Sequence, residues 1–397
     1  MFTHQADHAD VLEVAADAPF RYGVHFGRGL LDPGSPVLAA ALAASPEPPP
    51  HGCLAFLDAG LVAARPELPG CVTAYFSARA GRLCLLQPPQ VLAGGEKAKN
   101  SFAVPRQVIR LARRERLSRH AHILAIGGGA FLDAVGFAAA LIHRGVRLVR
   151  MPSTVLAQND AGVGVKNGLN LGGLKNFLGT FAPPAAVLND LDLLSTLADR
   201  DWRAGIAEAF KVAAIRDAAF LDWLLAAGPA LRARDAAAME KLVRRCAALH
   251  LNQIIGAGDP FESGSARPLD FGHWAAHKLE SLSGHELNHG EAVAIGMALD
   301  LLYAVATGHL GAVDAGRVIT GLRAAGLPVW HAAAAWPAPD GRPLLFQGIE
   351  EFRAHLGGRL NVTLPSPLGQ GCEVHDLDEA VLRRCLSRLA AMADERG

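Results

Sequence analysis

A chain of 397 residues is too long for one small core and fits two domains of ordinary size, and a 51% hydrophobic content allows a large buried interior. Lys and Arg (38) balance Asp and Glu (38), so no overall field recruits nucleic acid or an anionic membrane, and any anionic ligand has to be met by local charges. The six cysteines are scattered without a CxxC pair, which argues against a disulfide framework and a thiolate zinc site and fits a reducing cytoplasm.

Residues 1–19 are acidic and histidine-bearing, with neither a basic start nor an apolar run, and read as an extension without a secretory signal. From Phe20, short apolar runs alternate with helical patterns. The segments "RYGVHFG", "CLAFLDAG", "LCLLQPP", "HILAIGGG" and "VRLVRMPST" predict buried strands of a parallel or mostly parallel α/β sheet over 20–190. The longest apolar stretch, "AHILAIGGGAFLDAVGFAAALI", is broken by three glycines and Asp133 and reads as strand, turn and buried helix rather than a membrane span. After Leu191, alanine- and leucine-rich segments with helical spacing, such as "WRAGIAEAFKVAAIRDAAFLDWLL", predict a mainly α-helical second domain over 191–397. "PEPPPHG" and "AAAAWPAPDGRPLL" are loops, and no internal repeat is visible.

Four segments carry candidate chemistry. In "ILAIGGGAFLDAVG" the glycines end a strand and open a helix, where backbone N–H groups meet a pyrophosphate, although the same turn serves plain strand-to-helix geometry. "PSTVLAQNDAGVGVKNGLNLGGLKNFLG" sets Asp160, Lys166, Lys175 and Asn176 in a glycine-rich stretch suited to phosphate or to solvent. Glu208 and Lys211 lie three apart on an apolar helix, as an ion pair or as ligand-holding groups. His273 and His277 share a helix face, and His289 precedes a second helix that can return alongside. Two histidines with a carboxylate such as Glu208 would leave open positions on a zinc ion, with His285 a bystander. His120, His122, His143 and His250 show no partner pattern and read as surface or satisfied core residues.

These motifs, in this order and spacing from about Tyr22 onward, resemble the sugar phosphate cyclases, the superfamily of 3-dehydroquinate synthase and the C7-cyclitol synthases. The resemblance implies an N-terminal nucleotide-binding α/β domain, a helical metal-binding domain, an active site between them, bound NAD, a divalent metal (zinc, cobalt or another), and a homodimer. It implies Glu208, His273 and His289 as metal ligands. Its NAD contacts fall on Asp58, on Glu96 and Lys99, on Gly128, Gly129 and Asp133, on Ser153 and Thr154, on Lys175 and on Thr196. Substrate contacts would include Asp160, Lys166, Asn176, Lys211, Glu262, Asp270, His277 and His355, with Arg144 reaching in from the partner subunit.

Departures from the family bear on the substrate. Where dehydroquinate synthases carry lysine, arginine and asparagine near the polar groups of a seven-carbon keto acid phosphate, this chain has Asn252, Ala266 and Asp270. Losing two cations and gaining an anion disfavours a carboxylate, since like charges in a secluded site cost several kcal/mol. "LDFGH", and His355 in "FRAHLGG" in place of a family lysine, resemble the cyclases that convert sedoheptulose 7-phosphate to 2-epi-5-epi-valiolone or an epimer. Arg267 adjoins the vacated arginine position, and Leu132 replaces a glycine usual in the family's glycine turn, which bears on how closely the backbone meets the pyrophosphate. The competing readings are dehydroquinate synthase itself, a metal-dependent polyol dehydrogenase, and a non-catalytic sensor of NAD or sugar phosphate.

Overall fold

The computed structural model describes residues 2–3, 13–14, 20–172, 174–256, 269–284, 286–355 and 357–394. A two-residue pairing, β1 (Phe2–Thr3) with β2 (Glu13–Val14), precedes the first domain. The domain's main sheet contains β3 (Gly23–Gly27), β4 (His51–Asp58), β5 (Leu83–Leu85), β6 (Gln90–Leu92), β7 (His122–Gly127), β8 (Arg147–Pro152) and β11 (Ala186–Asp190). Its order is β3-β11-β8-β7-β4-β5, with β6 also beside β4, and every neighbouring pair is parallel.

Alternate residues of one strand serve opposite faces of the sheet. Leu54, Phe56, Ile123 and Ala125 pack under α4 (Ala103–Arg114) and α5 (Gly129–Leu141). Cys53, Ala55, Leu57, Leu124 and Ile126 pack under α1 (Val37–Ala43), α2 (Ala59–Ala64) and α3 (Leu68–Ser77). Burial on both faces is why these strands read as unbroken apolar runs. Off the sheet, β9 (Lys166–Leu171) and β10 (Leu174–Phe181) form an antiparallel hairpin packed on α5.

The second half is helical: α6 (Asp199–Ala204), α7 (Ile206–Arg216), α8 (Ala218–Arg232), α9 (Ala236–Gly256), α10 (His273–Leu282), α11 (His289–Ala306), α12 (Ala312–Ala324), α13 (Gln347–His355) and α14 (Glu379–Asp394), with a small hairpin of β12 (Val362–Pro365) and β13 (Gly371–Val374). α7 and α11 are its core: Ile206 through Ile215 and Gly290 through Tyr303 are buried apart from Glu291. α11 is long and apolar enough to cross a membrane, yet 78% of it is buried inside the protein.

Strand order reverses between β4 and β7, and in open parallel sheets the crevice at such a point, beyond the strands' carboxyl ends, receives ligands. Asp58 ends β4 and Gly127 ends β7. Beyond β8, a π-helical turn (Ala157–Ala161) packs against α7 and α9 and joins the sheet to the helices.

Candidate active site

Two clusters of polar side chains meet across that turn. The first lines the crevice. Gly128 caps α5 in an extended conformation and leaves the first backbone N–H groups of the helix facing outward. A Cβ on Gly128 would lie 3.3 Å from the Thr154 methyl, and one on Gly129 would lie 3.3 Å from Ala161, so the glycines keep a narrow backbone cradle open. A Cβ on Gly94 would overlap the Asp58 carboxylate, which caps α2 by accepting from Gly60 N at 2.8 Å. Leu132 is buried in the core between α5 and the sheet, away from the atoms that crowd the turn. Ser153 N donates to Gly127 O, and Thr154 Oγ1 accepts from Ala157 N at 3.1 Å to start the π turn.

Lys99 ties this rim to the hairpin. Its ammonium lies 2.6 Å from Asp133 Oδ2 on α5 and donates to Asn176 Oδ1 at 2.5 Å. Burial raises the Asp133 carboxyl, and Lys99 opposes the rise. Asn170 completes the bracket by donating to Glu96 and Asn100, both at 2.7 Å. Asn176 holds a left-handed backbone (φ 52°), and Lys166 is exposed at the start of β9. The glycine-rich segment is thus an ordered hairpin. Arg150 anchors it: fully buried, its guanidinium donates to Gly162 O, Gly164 O, Lys166 O and Asn167 Oδ1.

The second cluster is in the helical half. Glu208 is in the first turn of α7, which is held to the π turn by Asn159 Nδ2 donating to Gly205 O at 2.8 Å. A capping box starts α11 at His289: Asn288 Oδ1 accepts from Glu291 N, and Glu291 Oε2 accepts from Asn288 N, each at 3.0 Å. Gly272, at φ 79°, precedes His273; its N–H donates to Asp300 Oδ2 at 2.9 Å, and Trp274 Nε1 donates to Asp300 Oδ1 at 2.8 Å. Asp300, on α11, therefore holds the start of α10.

As a result, Glu208 Oε1 lies 3.7 Å from His273 Nε2 and 3.3 Å from His289 Nε2, and the ligand atoms of the three residues all lie within 4.8 Å of one another. Glu208 Oε2 is 2.5 Å from Lys211 Nζ. Among the described residues, neither oxygen of this fully buried carboxylate has a hydrogen-bond donor at a favourable angle. Burial favours the neutral acid, but Lys211 and then the two histidines overcome it and hold Glu208 well below the usual range. Burial, then Lys211, push His273 well down, leaving a neutral imidazole. Burial works against charge on His289 as well, but Glu280 and Glu208 lift it to about 10. The field that draws a proton to His289 also favours a divalent cation, and one carboxylate with two imidazoles suits zinc.

His277 stands beside both ligand candidates, with ring centroids 5.5 Å from His273 and 6.2 Å from His289. Asp160 Oδ1 faces His250 Nε2 at 3.4 Å, and Glu208 lies within ligand reach of both. His250 is therefore a buried member of the site rather than a bland core histidine. Only the helix packing brings it there, so its sequence neighbours gave no signal. His122 also departs from the satisfied-core reading, since neither ring nitrogen has a hydrogen-bond partner among the described residues and burial lowers it to about 4. Glu280 was missed too; it sits on the same face of α10 as His273, two turns later, and receives Lys175 and His289.

The two clusters are neighbours, because the π turn sets Ala161 against Gly129 and the adjacent Asp160 against His250. The hairpin repeats the link, with Asn176 on Lys99 and Lys175 on Glu280. Thr196 donates its hydroxyl to Leu193 O at 2.7 Å in the turn after β11, and Arg144 is exposed after α5 with a left-handed backbone; neither has a described contact to the clusters. Glu262, Ala266, Arg267 and His285 lie outside the described residues, as does the side chain of His355.

Residues 90–204 match the model of the 3-dehydroquinate synthase N-terminal domain, and residues 205–341 that of its C-terminal domain. The chain is 38% identical over 300 residues to a 2-epi-5-epi-valiolone synthase of Streptomyces glaucescens, covering 75% of each protein. It is 36% identical over 303 residues to a 3-dehydroquinate synthase of Paracoccus denitrificans, covering 76% of this chain and 81% of the relative. Among solved structures, a 2-epi-5-epi-valiolone synthase from Streptomyces hygroscopicus with NAD and zinc bound superposes with a TM-score of 0.84 at 31% identity, covering 96% of this chain and 99% of that one.

Proposed function

Because the chain belongs to the 3-dehydroquinate synthase superfamily of sugar phosphate cyclases, we propose that it converts sedoheptulose 7-phosphate to 2-epi-5-epi-valiolone or an epimer, releasing phosphate. Glu208, His273 and His289 would hold zinc or another divalent ion, and the Gly128–Gly129 cradle with Asp58, Lys99 and Asp133 would seat NAD. Both fit. The buried carboxylate has one oxygen 3.7 and 3.3 Å from the imidazole nitrogens of His273 and His289, and the cradle is one that a Cβ would fill. When bound, NAD accepts and returns a hydride, and the metal stabilises an alkoxide.

The chain's own groups do the rest. Lys211, Lys166 and Asn176 orient the sugar phosphate, His277 borders the reacting carbons, and the helical core keeps water out of the Glu208 region. The net change is loss of phosphate and closure of a carbocycle by intramolecular aldol addition, with no net redox. A cytoplasmic homodimer, with Arg144 supplied across the subunit contact, completes this reading.

Asp270 carries the choice of substrate. It sits one turn before His273, whose N–H donates to its backbone oxygen at 2.9 Å, and its charge joins those of Glu208 and Asp160 in raising Lys211. Three carboxylates whose charges act on one ammonium make a site suited to hydroxyls rather than to a substrate carboxylate. The match to dehydroquinate synthases at similar identity supports a second reading, dehydroquinate synthesis. Incubating the protein with sedoheptulose 7-phosphate and, separately, with the keto acid phosphate, while following phosphate and product mass, decides between them. We expect turnover of the first, NAD retained through purification and no accumulated NADH; preference for the keto acid phosphate would establish the second reading instead.

A further inference from the structure

We propose that Glu280 is the positioning residue for His289 and that, through Lys175, it ties the β9–β10 hairpin of the sheet domain to the metal-holding side chains of the helical domain. The inference rests on the metal reading of Glu208, His273 and His289.

Glu280 is 4% exposed, and its two oxygens are used in different directions. Oε1 accepts from His289 Nδ1 at 3.0 Å, and Oε2 receives the Lys175 ammonium in an ion pair. An imidazole whose Nδ1 donates to Glu280 offers its Nε2 lone pair once a metal displaces the Nε2 proton, and Nε2 is the atom facing Glu208 Oε1. Histidines that hold metals are commonly oriented by a carboxylate or a carbonyl on the other ring nitrogen, and losing that partner costs 10–100-fold in affinity. This site uses one of each kind. His273 Nδ1 lies 3.1 Å from the Phe271 carbonyl, a fixed neutral acceptor on its own chain segment. His289 instead depends on a charged acceptor from another helix, and that acceptor is shared with a lysine from the other domain.

The sharing gives Glu280 a reach that a carbonyl lacks. Lys175 is followed in the chain by Asn176, which takes the Lys99 ammonium that also pairs with Asp133 at the nucleotide cradle. An unbroken series of contacts therefore runs from α5 through the hairpin to His289. Displacing the hairpin removes the counter-charge from Glu280 and loosens His289, so metal affinity registers the state of the nucleotide side.

The test is zinc affinity of chelator-stripped protein, measured by competition with a chromogenic chelator, together with the unfolding midpoint of the metal-free protein. Glu280→Gln should weaken zinc binding by about 10–100-fold with the metal-free midpoint little changed, and Glu280→Asp should restore part of it. Lys175→Met should weaken it by a smaller factor, and the double variant should be no weaker than Glu280→Gln alone. Zinc affinity of Glu280→Gln within twofold of wild type overturns the proposal, as does full additivity of the two changes. If Glu280→Gln does not fold, the Lys175→Met and Glu280→Asp results decide alone, and unchanged affinity in both overturns it. A wild-type chain that binds no zinc fails the metal reading itself, a result distinct from either.

Discussion

The sheet domain keeps part of its recognition groups exposed at the rim, Glu96, Lys166 and Asn176 among them, whereas the helical domain seals Glu208, Lys211 and His273 into its interior at 0, 3 and 8% exposure. An exposed rim group can be altered at little cost to the fold, whereas the buried Lys99 holds both Asp133 and Asn176. A buried charge stands on its partners, because desolvation costs several kcal/mol unless they remain. The contrast teaches that specificity and stability are separable at the exposed rim of the first domain and fused in the core of the second.

The largest test of that contrast is Glu208→Ala, which strands Lys211 and removes a proposed metal ligand. We expect kcat/KM to fall more than about 100-fold and stability to drop by roughly 3–5 kcal/mol, the range for breaking a buried pair. Denaturant unfolding that stays within about 1 kcal/mol of wild type would break the comparison.

Next is Asp300→Asn, which cannot accept from both Gly272 N and Trp274 Nε1 and should cost about 1–3 kcal/mol. Burial pushes the Asp300 carboxyl up to about 7, against the two hydrogen bonds that favour its charge. A raised carboxyl contributes stability that is complete below its ordinary value of 3.8 and lost as pH rises through 7. The stability gap between wild type and Asp300→Asn should therefore narrow from pH 4 to pH 8, and a gap that widens would contradict the assignment.

Asp270→Asn sharpens the comparison from within the helical domain, since this carboxylate is only partly buried. It should lower kcat/KM for sedoheptulose 7-phosphate about tenfold, roughly 1.4 kcal/mol, and leave unfolding almost unchanged. The smallest effect belongs to Arg28→Ala. This exposed guanidinium joins Asp192 at 2.9 Å and Glu240 at 3.1 Å across the two halves, and its loss should shift stability by no more than about 1 kcal/mol in calorimetry.

The sequence announced the parts whose environment is local. β4, β7 and β8 are buried on both faces, so their apolar runs stand out, and the α5 glycine turn follows directly from its strand. The β9–β10 hairpin did not show because its apolar face is reduced to Leu169 and Leu178, while its glycines and asparagines are held by Arg150 and Lys99. β11, Ala186–Asp190, is a short apolar run without flanking helical periodicity and escaped notice. In the site, spacing marked His273, His277 and His289 with a carboxylate such as Glu208 as ligand types, and the family resemblance picked out Glu208, His273 and His289. His250 and Glu280 were not legible, because their partners Asp160, His289 and Lys175 are 90, 9 and 105 residues away and only packing pairs them.

Gly272 and Gly296 lie against each other where α10 begins on α11, and a Cβ on Gly272 would stand 2.7 Å from Met297 N. The gauge of the two histidine-bearing helices is thus set by hydrogen atoms, the smallest spacers a protein has. A methyl group at either position would meet backbone atoms of the other helix and force the two helices apart. The pair behaves as calipers locked at one opening, so the spacing of His273 and His289 is set by backbone contact rather than by the side chains around them.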